Sequence, residues 1–120
     1  MVWVKNRHSS GENHGIGDVV RSPGKLIYPN LTLTENTGEY ITPISDGVKI
    51  STGNNNYSGN DYVAWAWKAG GSPTSDGSGD VTVNRSTNTS AGFSIVNYND
   101  GGTNNQTAAH GLDQAPELII

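Results

Sequence analysis

Apolar residues along this chain come in short runs broken by turn formers, and nowhere do they sustain a helical period. Residues 1–5 alternate as a strand that gives way to the polar stretch 6–13. Residues 14–20 and 25–28 read as weaker strands on either side of the turn Ser22-Pro23-Gly24. Leu31 and Leu33 alternate with Thr, the pattern of a half-buried strand. Residues 40–44 and 48–51 flank Ser45-Asp46-Gly47, a hairpin turn in which Gly supplies positive φ. The strongest strand covers 61–69; 81–83, 93–98 and 118–120 follow. This predicts roughly nine or ten short strands with turn signals every ~8–12 residues, the pattern of a sandwich or barrel. No segment with helix formers is long enough to stand alone as a helix.

With 120 residues the chain is expected to be a single domain with one modest core. The Gly- and Ser-rich segment 70–79 reads as a flexible linker between a main body, 1–69, and the C-terminal strands of 80–120. Only 32% of the residues are hydrophobic, which by itself would suit a disordered chain. Three Trp, five Tyr and a net charge of only −4 point instead to strands joined by polar turns. The seven Lys and Arg are scattered, so no basic stripe exists to neutralise nucleic-acid phosphates. No apolar stretch suits a bilayer span, and no leader pattern is present. Cysteine is absent, which removes disulfides, thiolate nucleophiles and zinc-thiolate sites. Sequons begin at Asn30, Asn56, Asn84, Asn88 and Asn105, as a chain this rich in Asn, Ser and Thr produces by composition.

Candidate chemistry is sparse. Glycoside hydrolysis needs two carboxylates across one sugar bond. Most acids here fall in turns or at strand ends, and Glu35 and Glu39 straddle Gly38. No nucleophile elbow of the form G-x-S-x-G occurs. His8, His14 and His110 stand in no metal-ligand motif. His110, in Ala109-His110-Gly111-Leu112, could donate from a neutral imidazole to a backbone carbonyl and fix the turn before Pro116. Asp76 to Asp80 and residues 97–105 have oxygen donors suited to calcium, but neither fits a twelve-residue calcium loop, and solvated turns account for them. No catalytic residue, cofactor or metal is expected.

In Tyr62-Val63-Ala64-Trp65-Ala66-Trp67-Lys68, period two places Val63, Trp65 and Trp67 on one face. Two indoles on one face can stack on sugar rings or fill a core. In a chain poor in Leu, Ile and Phe we read them as core, which would make this a central strand closely covered at Ala64 and Ala66.

Met1-Val2-Trp3-Val4-Lys5-Asn6-Arg7 resembles a recurrent module of marine bacteriophage structural proteins, cyanophages above all. In the same order, Asp18-Val19-Val20-Arg21 resembles its D-x-V-R-G, with Ser22 for the glycine. Ser45-Asp46-Gly47-Val48 resembles its S-D-G-F, with Val for Phe. The longest match runs from Gly59 to Gly71, where the family often has Cys or Asn in place of Ala66. Gly92-Phe93-Ser94-Ile95-Val96-Asn97-Tyr98 and the segment from His110 to Ile120 complete it. The resemblance implies an all-β, antiparallel two-sheet jelly-roll sandwich, lectin-like in the concanavalin or laminin-G sense. Such modules recur in tandem in tail-fibre and other virion-surface proteins. It further implies that this chain is a permuted slice of a repeat array. Residues 93–120 would then fold back into its own sandwich or exchange with a second chain.

The function expected on these grounds is non-catalytic: adhesion to a host-surface glycan, or virion assembly, by a homo-oligomer or strand-exchanged assembly that binds neither nucleic acid nor membrane. Glycan contacts would come from loops carrying Asn54, Asn55, Asn56, Tyr57, Asn99, Asp100, Asn104 and Asn105. The competing readings are a glycan-depolymerising domain and a structural spacer without a soluble ligand.

Overall fold

The computed structural model describes all residues except Ser22, Pro23, Glu39, Tyr40, Thr52 and Asp100. The protein is all-β; among the described residues it has small antiparallel sheets of three, two and three strands and one 3-10 turn. Its contacts divide it into two compact units, Met1–Trp67 and Lys68–Ile120.

In the N-terminal unit, β1 (Val2–Asn6) lies between β2 (His14–Gly17) and β5 (Tyr62–Ala66), antiparallel to both. The hairpin of β3 (Ile41–Ile44) and β4 (Gly47–Ile50) forms a second layer. Alternation along β1 turns Val2, Val4 and Asn6 inward and leaves Trp3 and Lys5 on the opposite face. The inward valines pack with Leu26, Tyr28 and Ile41, flanked by Val48, Ile50 and Tyr62. What lets the layers meet is the absence of side chains on the inner face of β2. A Cβ on Gly17 would stand 1.7 Å from the Ile41 carbonyl oxygen, and one on Gly15 2.7 Å from Asn55 Oδ1.

One loop of this unit is pinned electrostatically. Asp18 is buried, accepts from the Val20 and Arg21 backbone N–H groups, and pairs with the Arg21 guanidinium. Arg21 Nε and Lys25 Nζ in turn reach Glu35, at 3.2 and 3.0 Å.

The C-terminal unit is a sheet of β6 (Thr74–Asp76), β7 (Val83–Asn88) and β8 (Phe93–Tyr98) in that order. A 3-10 turn, Thr89–Ala91, joins β7 to β8; Asn88 caps it by accepting from the Ala91 N–H, and Gly92 closes it at φ 62°. Val81, Val83, Ser86 and Ile95 are its buried residues.

Several expectations are corrected. Segment 70–79, expected as flexible, carries β6: the ladder to β7 and the Asp76–Arg85 ion pair outweigh its Gly and Ser content. Leu31 and Leu33 are exposed outside any strand, and 118–120 form none, since no strand among the described residues pairs with them. The indoles are not core. Trp65 is 45% and Trp67 37% exposed, and β5 is an edge strand rather than a central one. The small aliphatic residues of β1 and the loops fill the interior, and on the opposite sheet face Trp65 and Trp67 reach solvent while Ile16, opposite Trp3, is buried. The turn residues Ser22 and Pro23, with Tyr40 and Glu39, lie outside the described residues.

Candidate functional site

The outer face of the β2–β1–β5 sheet is built by register. Trp3 stands directly opposite Trp65, and Lys5 opposite Val63 on one side and His14 on the other. Residues directly opposite on one face of an antiparallel pair have neighbouring Cβ atoms, so these side chains meet. The Trp3 and Trp65 rings contact edge to face, with centroids 6.1 Å apart and planes at 67°. Trp3 meets the His14 ring in the same manner, at 5.7 Å and 66°. Trp67 continues the face, because its N–H donates to the Met1 carbonyl at 2.9 Å and keeps the pairing in register past the end of β5.

Two polar contacts fix the geometry. Trp3 Nε1 donates to His14 Nδ1 at 2.9 Å, which requires the unprotonated nitrogen to face the indole. Burial, and after it the Lys5 ammonium, holds the His14 pKa below its ordinary value, favouring the neutral ring that this bond needs. Lys5 Nζ donates to the Glu12 carbonyl at 2.7 Å, so the ammonium is held beside the indoles. The result is an open surface of preset indoles with a cation and an imidazole at its margin. It can stack on a flat, partly apolar ligand and hydrogen-bond to the polar rim of that ligand. It offers no nucleophile with a base beside it, and among the described residues no cluster of three His, Cys, Asp or Glu stands ready for a metal ion.

The residues singled out from sequence fall in two loops, one in each unit. Asn54 Oδ1 accepts from the Tyr57 hydroxyl at 3.1 Å, and the Tyr57 N–H donates to the Tyr62 hydroxyl at 2.6 Å. Asn56 is exposed, whereas Asn55 is buried against Gly15. Tyr57, 45% exposed, is thus a braced aromatic in the loop that precedes β5. In the C-terminal unit Asn99 Oδ1 accepts from the Gly101 N–H, Asn104 and Asn105 are exposed, and Asn105 has φ 61°. Asp100 lies outside the described residues.

That unit has an open recess of about 420 Å³ lined by Asp76, Arg85, Thr107, His110, Gly111 and Leu112, among others. Its charges satisfy one another. Arg85 Nε donates to Asp76 at 2.7 Å and Arg85 Nη1 to Thr87 Oγ1 at 2.9 Å. Hydrogen bonds from Ser78, together with Arg85, hold the Asp76 carboxyl down at about 2. Asp80 accepts from the Thr107 N–H and hydroxyl, which lowers its pKa too. His110 accepts rather than donates: the Leu112 N–H reaches its Nδ1 at 3.0 Å, while its carbonyl takes the Ser94 hydroxyl at 2.6 Å. Gly111 lies under the guanidinium, where a Cβ would sit 1.8 Å from Arg85 Nη1. These bonds fasten the loop to the sheet.

Sequence reasoning missed Trp3 and His14 as site residues. The signal was present in β1, where Lys5 shares a face with Trp3 and an ammonium is rarely turned into a core.

Residues 1–120, the whole chain, match a family described as a domain of unknown function, DUF7483. No curated protein and no solved structure matches the chain.

Proposed function

The chain belongs to the DUF7483 family, and we propose that it is a non-catalytic β module that binds a glycan on the outer face of its β2–β1–β5 sheet. The observation that carries this reading is the exposure of Trp65 and Trp67 at the β5 side of the sheet face opposite the Val2, Val4 and Leu26 cluster, with Trp3 against Trp65. A wet, contiguous aromatic surface marks a binding site more often than a packing accident. The C–H faces of a pyranose ring stack on indoles, while its hydroxyls reach groups such as Lys5 and His14. The non-catalytic part is supported by the state of the acids: Asp18, Glu35, Asp76 and Asp80 already hold donors.

The wider setting rests on the sequence resemblance. It places the module in a homo-oligomeric tail-fibre or virion-surface protein of a bacteriophage. There it would serve host-surface adhesion or assembly as a jelly-roll sandwich that its own C-terminal strands, 80–120, complete or exchange with a second chain.

Titration of the chain with a panel of polysaccharides, followed by tryptophan fluorescence and by reducing-end release, tests the reading. Saturable quenching without new reducing ends, lost in Trp65→Ala, is the expected result. Release of reducing ends makes it a depolymerase; a silent panel makes it a spacer.

A further inference from the structure

We propose that Lys5 and His14 together form a carboxylate subsite beside the indoles, so that the saccharide this face takes is an acidic one that carries uronate rings. The proposal rests on the glycan reading of the face and names the class of sugar. Register brings the two side chains together. Lys5 on β1 stands directly opposite His14 on β2, on the side of the sheet that carries Trp3.

Two bonds decide which polar atoms remain for a ligand. Trp3 Nε1 donates to His14 Nδ1 at 2.9 Å, so the neutral imidazole carries its proton on Nε2 and is a donor there. That nitrogen meets no acceptor among the described residues. Lys5 Nζ gives one of its three N–H bonds to the Glu12 carbonyl at 2.7 Å, which holds the ammonium in place without neutralising it. Arg21, Lys25 and Arg85 each have a carboxylate partner. Lys5 has none among the described residues, and the Glu12 carboxylate forms no ion pair with it. His14 feels the same imbalance: after burial, it is the Lys5 ammonium that lowers its pKa, with no acid offsetting it.

Paired donors with uncompensated positive charge select a group that only accepts and is negative. A carboxylate offers two oxygens, one for the ammonium and one for the imidazole N–H, and such charge-assisted bonds are roughly twice as strong as neutral ones. The adjoining rings decide what carries it. Trp3 meets the His14 ring at 5.7 Å and the Trp65 ring at 6.1 Å, both edge to face. A pyranose stacked on these indoles therefore borders the subsite, and a carboxylate fixed to the sugar ring, as in a hexuronate, is presented at its edge. The net charge of −4 opposes an anionic ligand only at long range, because charges beyond about 8 Å are largely screened at physiological ionic strength. The recess of the C-terminal unit lacks this preference, since Asp76 already neutralises Arg85.

The test compares acids with their own esters. Tryptophan quenching is titrated with oligogalacturonate, alginate and hyaluronan, and with the same chains after methyl esterification of their carboxyls. The acids should bind about ten-fold tighter than the esters or better, by a ratio that shrinks as salt is added. Lys5→Met should bring that ratio toward one, and Lys5→Arg should keep most of it. An acid chain should also raise the His14 pKa, followed by NMR, more than its ester does. Esters that bind as tightly as acids, or a ratio that survives Lys5→Met, would overturn the carboxylate subsite and leave the glycan face standing. If neither acids, esters nor neutral polysaccharides quench the indoles, the face is no glycan site and the subsite falls with it.

Discussion

The two units of this chain share one composition and hold themselves together differently. The N-terminal unit closes two layers over small aliphatic residues, Val2, Val4, Leu26 and Ile41 with Tyr28, and holds all three tryptophans outside that set. The C-terminal unit buries Val81, Val83 and Ile95, and fastens its last loop by a chain of polar bonds from Asp76 through Arg85 and Thr87 to the His110 carbonyl. The difference teaches where function can sit. In the C-terminal unit the polar groups are occupied in holding the loop. In the N-terminal unit the core is complete without the indoles, which frees the largest side chains for a partner.

The comparison breaks most violently at Gly17. Its missing Cβ is the space that the Ile41 carbonyl occupies, so Gly17→Val forces the layers apart and should cost about 3 kcal/mol or more. Because every tryptophan lies in the N-terminal unit, indole fluorescence follows that unit alone. The variant should lose its native emission while NMR signals of β7 and β8 persist. Ile41→Ala, which opens a cavity at a residue only 1% exposed, should cost about 2–5 kcal/mol in a denaturant titration read the same way.

The polar side of the comparison is sharpened by acid. Asp76 titrates at about 2 in the folded chain against an ordinary 3.8. A depressed folded value means the stabilisation is fully present above about pH 4 and is lost as pH falls through about 2. Amide exchange at Gly111 and Leu112, the residues beside Arg85, should accelerate across that window. In Asp76→Asn the acceleration should already be present at neutral pH, and the acid step should shrink.

The all-β class, the Ser45-Asp46 turn, and the strands at 93–98 and 61–69 were legible because each rests on local pattern: β-branched alternation and turn formers. What was not legible rests on pairing. Period two says that Val63, Trp65 and Trp67 share a face, but not which face is inside. That is decided by β1, which sets Trp3 opposite Trp65 and turns Val2 and Val4 the other way. The strand at 74–76 was hidden for the same reason, since its stability comes from Arg85 and not from Thr74-Ser75-Asp76. The polar loop candidates were chosen by composition, which cannot separate Asn55, buried under a bare glycine, from its exposed neighbour Asn56.

The smallest change in stability should come from the largest side chain. Judged by size alone, Trp65→Ala removes more apolar surface than Ile41→Ala and should destabilise more. The fold reverses that order. Trp65 is 45% exposed, and its one described ring contact, edge to face with Trp3, is worth about 0.5–1.5 kcal/mol. Ile41 is enclosed by Val2, Val4, Leu26 and Tyr28 and leaves a void when cut back. Trp65→Ala should therefore cost about 1 kcal/mol, less than Ile41→Ala, while removing the fluorescence response to glycan. Two denaturation curves and one binding titration measure this, and a Trp65→Ala penalty as large as that of Ile41→Ala would return the indole to the core and take the binding face away with it.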